Sequence, residues 1–339
     1  MRLFCPILLL LGPFLTSAAQ EAVTLKVGYF PNLTHAPALV ARQWEREKSD
    51  GFQAHLPPGS KIEWRSFNAG PSAMEALLVG SVDVTFVGPS PVLNAHLRTK
   101  GSEIRVLASV ARGGSALVVR KGLGLKTAEN FRGLRLVTPQ LGNTQDIEAR
   151  AWLRDAGLKV MLSGGDVQII PAGSADMAML FSQGKIAAAW TVEPWVTRLT
   201  TEFGGEILLE RPDSVVTVLA TSRKVLEQRG PAVRTFVHAY YLLRDQLLAD
   251  PVRYAQAVRL GLGAETHSAP PSESLIAASL GRVRLEAREE SSARVVRLKD
   301  FFARSLKDSQ DSGLLVGTAP LAPLLESLVP DPSPPSQRK

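Results

Sequence analysis

Apolar and polar residues alternate in several short stretches of the chain, and each stretch is followed by a turn and a helical pattern. Between residues 23 and 29, apolar side chains occupy every second position, which is the period of a half-buried strand. Similar apolar runs predict strands at 62–67, 82–87 and 104–111. Because strand, turn and helix recur three times within about ninety residues, the pattern predicts a parallel sheet flanked by helices.

A second series of strands and helices begins after Gly113, Gly114 and Ser115. The apolar residues 116–119 follow, and the predicted strands of this series lie at 134–137, 167–170 and 187–191. Another apolar strand follows at 215–220, and the pattern is then mainly helical to about residue 306. A chain that enters a second α/β unit and later returns to the first predicts two lobes joined by two crossings. That is the architecture of a hinged clamp, which closes on a ligand.

These patterns divide the chain into five segments. We expect a signal peptide at 1–19, a first part of lobe I at 20–114, lobe II at 115–214, a returning part of lobe I at 215–317 and a flexible Pro-rich tail at 318–339. The signal peptide is indicated by Arg2, an apolar stretch that ends at Leu15, and small residues before the expected cleavage. The apolar stretch is shorter than the roughly 20 residues that span a bilayer, so we expect export to the periplasm.

Cysteine usage and charge exclude several classes of function. The one cysteine, Cys5, lies in the expected signal peptide, so the mature chain would have no disulfide, no thiolate nucleophile and no cysteine-based metal site. Loss of Arg2 lowers the 39 Lys and Arg to 38 against 32 Asp and Glu, a net charge of +6. The bases are scattered, which argues against nucleic acid as a partner and suits a small anionic solute. We expect a monomer.

The segment 141–152 is the strongest candidate for a ligand site. Gly142 permits a tight turn after a predicted strand, and Thr144 begins an amphipathic helix. The first N–H groups of a helix have no intrahelical acceptor and lie at the positive end of its dipole. Together with the side chains of Asn143, Thr144 and Gln145, they would form a receptor for a small anion. An ordinary capped helix is the alternative interpretation.

Three earlier turns have a similar composition. Each follows a predicted strand and is rich in Gly, Pro, Ser, Thr or Asn. Ligands of open α/β sheets bind beyond the carboxyl ends of the strands, so these turns and 142–146 would converge on one cleft. Turn chemistry alone is the alternative for each of them. The candidate residues in the three turns are Asn32, Thr34, His35, Gly70, Ser72 and Ser90.

A family resemblance is carried by five segments, which occur in the order 28–37 (GYFPNLTHAP), 68–77 (NAGPSAMEAL), 87–91 (VGPSP), 142–146 (GNTQD) and 189–195 (AWTVEPW). They resemble the nitrate, sulfonate and taurine group of ABC-transporter solute-binding proteins. The resemblance implies a type II periplasmic binding protein fold, with two α/β lobes, each a helix-flanked and mostly parallel sheet, and a hinge of two crossings. It also implies delivery of a bound small molecule to a membrane permease. We expect that molecule to be a small oxyanion, such as nitrate, an alkanesulfonate or taurine. The pocket residues implied by the resemblance are Thr34, His35, Ser72, Ser90, 143–145 and 190–193.

The last of these segments leaves the solute class open. Trp190 at a strand end would give the pocket an apolar wall that suits the alkyl part of a sulfonate, whereas Trp195 is expected in the core. Glu193, just before Pro194, either lies at the positive end of the following helix or faces the cleft. In the cleft, its carboxylate would oppose a bare anion and favour a zwitterion or a heterocycle such as a pyrimidine precursor.

The sequence contains no convincing catalytic, metal or cofactor motif. Val92 stands where a nucleophile elbow at 88–92 would need its second glycine, and the histidines lack the spacing of metal ligands. We therefore expect a binding protein without catalytic residues, metal or cofactor. An enzyme of a pyrimidine-synthesising branch that resembles this fold is the competing class, and a periplasmic sensor is a third.

Overall fold

The computed structural model of the chain describes residues 21–49, 52–288, 291–311, 313, 315 and 317–331. The expected signal peptide lies outside these residues. The strands, in chain order, are β1 (Thr24–Tyr29), β2 (Lys61–Ser66), β3 (Val84–Val87), β4 (Ile104–Gly113), β5 (Ser115–Arg120), β6 (Arg135–Thr138), β7 (Val160–Met161), β8 (Val167–Pro171), β9 (Ala188–Val192), β10 (Gly205–Glu210), β11 (Val215–Ser222) and β12 (Val283–Leu285).

Helices connect most of these strands. They are α1 (Ala36–Arg46), α2 (Gly70–Leu78), α3 (Pro89–Arg98), α4 (Thr144–Asp155), α5 (Ser174–Ser182), α6 (Trp195–Thr201), α7 (Arg223–Ala249), α8 (Pro251–Glu265), α9 (Glu273–Leu280), α10 (Ser291–Asp311) and α11 (Ala322–Leu325), with short 3-10 helices at Leu33–His35, Phe52–His55 and Ala128–Phe131. No helix within the described ranges is both long and apolar enough to cross a lipid bilayer.

The strands form two six-stranded sheets, one in each lobe. Their orders are β12-β4-β11-β3-β1-β2 in lobe I and β10-β5-β9-β6-β8-β7 in lobe II. Three of the five pairings in lobe II are parallel, whereas three of the five in lobe I are antiparallel. Lobe I thus departs from the expected mostly parallel sheet, because the returning strand β11 inserts between β3 and β4 in the opposite direction.

Helices cover both faces of each sheet and bury most of the apolar side chains. In lobe I, α1, α7 and α8 pack on one face through residues such as Leu39 and Phe236, and α2, α3 and α10 pack on the other. In lobe II, α4 packs on one face through Leu153, and α5 and α6 pack on the other. The apolar periodicity of the sequence therefore produces an apolar core on each face of each sheet, two in each lobe among the described residues, and the cleft lies between the lobes.

The two lobes are joined where β4 passes into β5 and where β10 passes into β11. The N–H group of Gly113 on the first crossing donates to the carbonyl of Ser214 on the second, at 3.0 Å. Gly113 has a φ of +71°, and a Cβ atom there would lie 2.5 Å from the carbonyl oxygen of Arg282. The hydrogen bond shows that the crossings lie side by side as one hinge. Only glycine fits at position 113 without strain.

Residues 318–331, which we expected to be flexible, instead pack against lobe I. The N–H group of Val329 donates to the carbonyl of Leu107 at 2.9 Å, and the hydroxyl of Tyr241 donates to the carbonyl of Val329 at 2.8 Å. Asp331 forms buried ion pairs with Arg244 and Arg294. The expectation was wrong because it relied on Pro-rich composition, which does not prevent isolated apolar and acidic side chains from docking. Residues 332–339 lie outside the described part of the chain.

Candidate functional site

The candidate site is a small cavity between the lobes, of about 50 Å³. Residues at the beginnings of α2, α3, α4 and α5 and in the 3-10 helix before α1 line it. These beginnings follow strands of both sheets, so the cavity lies where open α/β sheets bind ligands. Its lining residues are Phe30, Asn32, Thr34, His35, Asn68, Ala69, Gly70, Gly88, Pro91, Pro139, Asn143, Thr144, Gln145, Ser174, Val192 and Val216. We call it the inner cavity.

Side chains of the first turn hold the beginning of α4 in place. The Asn143 Oδ1 atom accepts a hydrogen bond from the Asp146 N–H group at 2.8 Å. Asp146 Oδ2 in turn accepts from the Gly142 N–H group at 2.9 Å and from Arg150 Nε at 3.1 Å. The acidic charge is thereby paired within the helix. The N–H groups of Thr144 and Gln145 have no intrahelical acceptor at this position and belong to residues that line the cavity.

Glycines allow the lobes and helix beginnings to approach closely. A Cβ atom at Gly88, before α3, would lie 2.7 Å from Thr144 Oγ1 of the other lobe, and one at Gly70 would lie 2.3 Å from Pro91 Cγ. Across the same gap, the Ser90 N–H group donates to Thr144 Oγ1 at 3.4 Å. Thr144 is therefore the contact point between lobe II and the beginning of α3.

His35 is a neutral hydrogen-bond donor at the wall of the cavity. Its ring stacks on Phe30 with a centroid distance of 4.2 Å, and its Nδ1 atom accepts from the Phe30 N–H group at 3.3 Å. Burial lowers the pKa of His35 from 6.5 to about 3. The ring is consequently neutral at physiological pH, and because Nδ1 accepts, the proton lies on Nε2.

The inner cavity has the electrostatics of a site for a small anion or a strongly polar neutral group. Among the described residues that line it, none carries a formal charge at neutral pH. Its polar atoms are N–H groups, hydroxyls, amides and one imidazole, and the helix dipoles direct their positive ends toward it. The described part of the chain also has no group of three or more His, Cys, Asp or Glu side chains placed to hold a metal ion.

The structure brings most of the predicted site residues together. Those that line the inner cavity are Asn32, Thr34, His35, Gly70, Asn143, Thr144 and Gln145. Ser72 and Ser90 do not line it: the Ser72 hydroxyl donates to the carbonyl of Ala69 at 2.9 Å, and Ser90 lines a neighbouring cavity. Gly142 forms the turn before α4 with a φ of +77°, and no atom of the described residues lies within 4 Å of the position that a Cβ would occupy there.

The two candidates from the last motif lie behind the cavity wall. Trp190 is fully buried in the core of lobe II, where its Nε1 donates to Ser115 Oγ at 3.2 Å. Glu193 is also fully buried, and its carboxylate accepts from the N–H group and hydroxyl of Thr197 at 3.0 and 2.9 Å. Arg282 Nη1 lies 3.4 Å from it. Glu193 therefore stabilises the beginning of α6, as one of its two sequence interpretations proposed.

Sequence reasoning missed several lining residues. Phe30, Asn68 and Ala69 lie within the family segments without being named as candidates, and Val192 lies within the implied pocket stretch 190–193. Pro139, Ser174 and Val216 were not singled out. Most of them share one signal, which is a position at or just after the carboxyl end of a strand.

Comparisons with known proteins agree with this architecture. The model of the NMT1-like family matches residues 18–259. The taurine-binding periplasmic protein of Escherichia coli (strain K12) is 29% identical over 199 residues, which are 57% of this chain and 59% of that protein. The chain thus spans about three-fifths of the length of the curated relatives that it matches first.

Two solved structures show the same fold. The alkanesulfonate-binding protein SsuA from Xanthomonas axonopodis pv. citri, bound to MOPS, has a TM-score of 0.70 at 20% identity and covers 90% of this chain and 98% of its own. The nitrate-binding protein NrtA from Synechocystis PCC 6803 has a TM-score of 0.68 at 16% identity, with coverages of 88% and 83%. The fold is that of the two-lobed periplasmic binding proteins, and the chain belongs to the NMT1-like family.

Proposed function

We propose that the protein is the solute-binding component of an ABC importer, which captures a small oxyanion between its lobes and delivers it to a membrane permease. Nitrate, alkanesulfonates and taurine are the leading solutes. The observation that carries this proposal is the inner cavity, where neutral donors from both lobes converge at the positive ends of several helices. Such a site neutralises an anion by hydrogen bonds and needs no covalent step.

The names of the relatives support the same solute class. A taurine-binding periplasmic protein is among the sequence relatives, and an alkanesulfonate-binding and a nitrate-binding protein share the fold. Taurine, alkanesulfonates and nitrate have in common a compact oxyanion head. The inner cavity, of about 50 Å³, matches the size of such a compact head. The proposed site of action is the periplasm, with a membrane permease as partner.

The heterocycle alternative has less support. It predicts that Glu193 faces the ligand, whereas the Glu193 carboxylate accepts from Thr197 and lies near Arg282. The enzyme alternative requires turnover, and conversion of any bound compound by the purified protein would favour it over capture alone.

The substitution Thr144→Asp tests the proposal. It adds a negative charge at the helix beginning that lines the cavity, within reach of the bound anion. Like-charge repulsion in a water-poor site should reduce the affinity for the solute by at least roughly a hundredfold. The measurement is isothermal titration of the mature protein and the variant with nitrate, ethanesulfonate and taurine.

Ser272→Asp is the matched control. Ser272 likewise lies at a helix beginning: it is the N-cap of α9, and its hydroxyl accepts from the Leu275 N–H group at 3.2 Å. It lies outside the cavity. Aspartate is an equally good cap, so this variant should bind as the unmodified protein does. Equal affinities for Thr144→Asp and Ser272→Asp would remove the inner cavity from the solute site.

A further inference from the structure

A second and larger cavity adjoins the inner one on the far side of Thr144. It has a volume of about 420 Å³ and lies between α4 of lobe II, the second crossing and α10 of lobe I. Thr144 lines both cavities. The walls of the larger cavity include Ile147, Glu148, Trp152, Ser214, Phe301 and Asp308. We call it the outer cavity.

The outer cavity contains a buried carboxylate oxygen without a donor. Glu148 Oε1 accepts a hydrogen bond from the Ser214 hydroxyl at 3.2 Å. Glu148 Oε2 is buried and has no hydrogen-bond partner among the described residues. A buried carboxylate oxygen that lacks a donor is unfavourable, so this atom is an open position for an N–H or O–H group of a ligand.

The environment of Glu148 does not fully compensate its charge. Burial raises the pKa of Glu148 from 4.5 to about 7, and the charge of Asp308 adds to this rise, although Arg211 and the hydroxyls of Ser214 and Ser115 act in the opposite direction. Arg211 is an exposed residue at the rim of the outer cavity, so water weakens its attraction for the carboxylate. A bound cation would relieve the cost of burial that the protein's own side chains leave uncompensated.

Five other charged residues line the outer cavity, whereas the described lining of the inner cavity has none. They are Arg211 and Asp213 on the second crossing, Arg304 and Asp308 on α10, and Asp155 on α4. Asp155 pairs with Arg154, and Asp213 lies 3.5 Å from Arg284. The two cavities thus offer different chemistry, neutral donors in one and an incompletely paired carboxylate in the other.

The beginning of α4 and the Glu148 carboxylate are close enough to bind the two ends of one small molecule. Glu148 follows Thr144 by four residues in α4, which places its Cα atom about 6 Å farther along the helix axis. The cavities meet at the Ser90–Thr144 hydrogen bond, whose 3.4 Å length exceeds the usual range. A solute group that takes the place of this hydrogen bond would therefore cost the protein little binding free energy.

We propose that Glu148 is a specificity-determining residue that binds a positively charged nitrogen of the solute. The solute is then a short zwitterion, with its oxyanion at the beginning of α4 and its ammonium group at Glu148 Oε2. Trp152 and Phe301 line the space beside this group and suit a cation or its alkyl linker. This inference rests on the proposed function, because it assumes that the anionic head occupies the inner cavity.

The test compares taurine with ethanesulfonate, which lacks the amino group, as ligands of the unmodified protein and of Glu148→Gln. The unmodified protein should bind taurine at least roughly tenfold more tightly, as expected for a charge-assisted hydrogen bond. In Glu148→Gln this preference should disappear while ethanesulfonate binds as before. The preference should also weaken as the pH falls below about 7, where Glu148 takes up a proton, and the variant should show no such trend.

Glu202→Gln serves as the control, since this carboxylate follows α6, pairs with Arg198 and lies outside both cavities. It should keep the preference for taurine. If the unmodified protein binds the two sulfonates equally, or Glu148→Gln still prefers taurine, the ammonium site is absent while the proposed function stands. If neither sulfonate nor nitrate binds to the unmodified protein, the proposed function fails, and the role of Glu148 fails with it.

Discussion

His35 can donate a hydrogen bond to an anion without being charged. A protonated imidazole would attract an anion more strongly, but its burial against Phe30 keeps the pKa at about 3. The neutral ring offers one N–H donor, and its strength as a donor does not change across the physiological range. The contribution of His35 to binding should therefore be independent of pH.

The same burial makes His35 a source of acid sensitivity. In the unfolded chain its pKa returns to about 6.5, so the unfolded state binds a proton between about pH 6.5 and 3 while the folded state does not. Stability is thus lost as the pH falls below 6.5, by roughly 3 kcal/mol at about pH 4. His35→Asn retains an acceptor for the Phe30 N–H group and should flatten this decline. Urea unfolding at several pH values measures the effect.

His238→Asn is the comparison for this measurement. His238 is exposed on α7, so its replacement should leave the acid decline of the unmodified protein unchanged. The same slope for His35→Asn and the unmodified protein would show that His35 takes up a proton in the folded state.

Some residue roles could not be predicted from the sequence because they depend on depth along a strand. Trp190 and Val192 lie on the same face of β9, but Trp190 is in the core and Val192 lines the inner cavity. The alternating pattern gives the face and leaves the end of the strand uncertain by one or two residues. The position of Glu193 also depends on Arg282, which lies in the other lobe.

At the scale of elements, the sequence predicts most strands and helices because their apolar periods are strong. The strands at 104–111 and 215–220, for instance, correspond to β4 and β11. The strands β7, β10 and β12 were missed. They lie at sheet edges, and β10 alternates only weakly between exposed and half-buried positions. Strands of this kind are fixed by pairing with distant segments, which a local pattern does not contain.

The hinge depends on a glycine that the sequence pattern marks only as a boundary. Gly113→Ala would place a Cβ atom 2.5 Å from the carbonyl oxygen of Arg282 and 3.0 Å from that of Pro212, at a φ of +71°. The left-handed backbone costs about 1 kcal/mol for alanine, and the contacts force the crossings apart. We expect a total loss of roughly 2–4 kcal/mol in the free energy of unfolding, measured by urea denaturation.

Gly122→Ala separates the cost of the left-handed backbone from the cost of the steric contacts. Gly122 has a similar φ of +83°, but no atom of the described chain lies within 4 Å of its Cβ position. It should therefore lose only the backbone term of about 1 kcal/mol. Equal losses for the two variants would mean that the crossings move apart without resistance, and that Gly113 does not determine the geometry of the hinge.

At the scale of the whole molecule, the lobes are in contact around the inner cavity. The Leu33 N–H group of lobe I donates to the carbonyl of Glu193 of lobe II at 3.0 Å. Arg282 of lobe I donates to Glu210 at 2.8 Å and lies 3.4 Å from Glu193, both in lobe II. These contacts join the lobes in the conformation that the structure describes, so we expect them to favour enclosure of a solute.

Arg282→Met removes the ion pairs and keeps the aliphatic part of the side chain. The substitution should destabilise the closed conformation relative to the open one by about 1 kcal/mol. Solute binding should then weaken by up to roughly fivefold. The solute-free protein should also spend more time open, which small-angle X-ray scattering detects as a larger radius of gyration. Saturating solute should restore the compact form, because its contacts with both lobes then supply the missing free energy.

Arg284→Met provides the matched change two residues away. Arg284 lies 3.5 Å from Asp213 on the second crossing, and both side chains are exposed, so this ion pair contributes little. Its removal should change neither the affinity for nitrate, which would occupy the inner cavity alone, nor the radius of gyration. If Arg282→Met behaves in the same way, the interlobe ion pairs do not bias the hinge. The free energy of closure would then come from the solute and from the helix beginnings that enclose it.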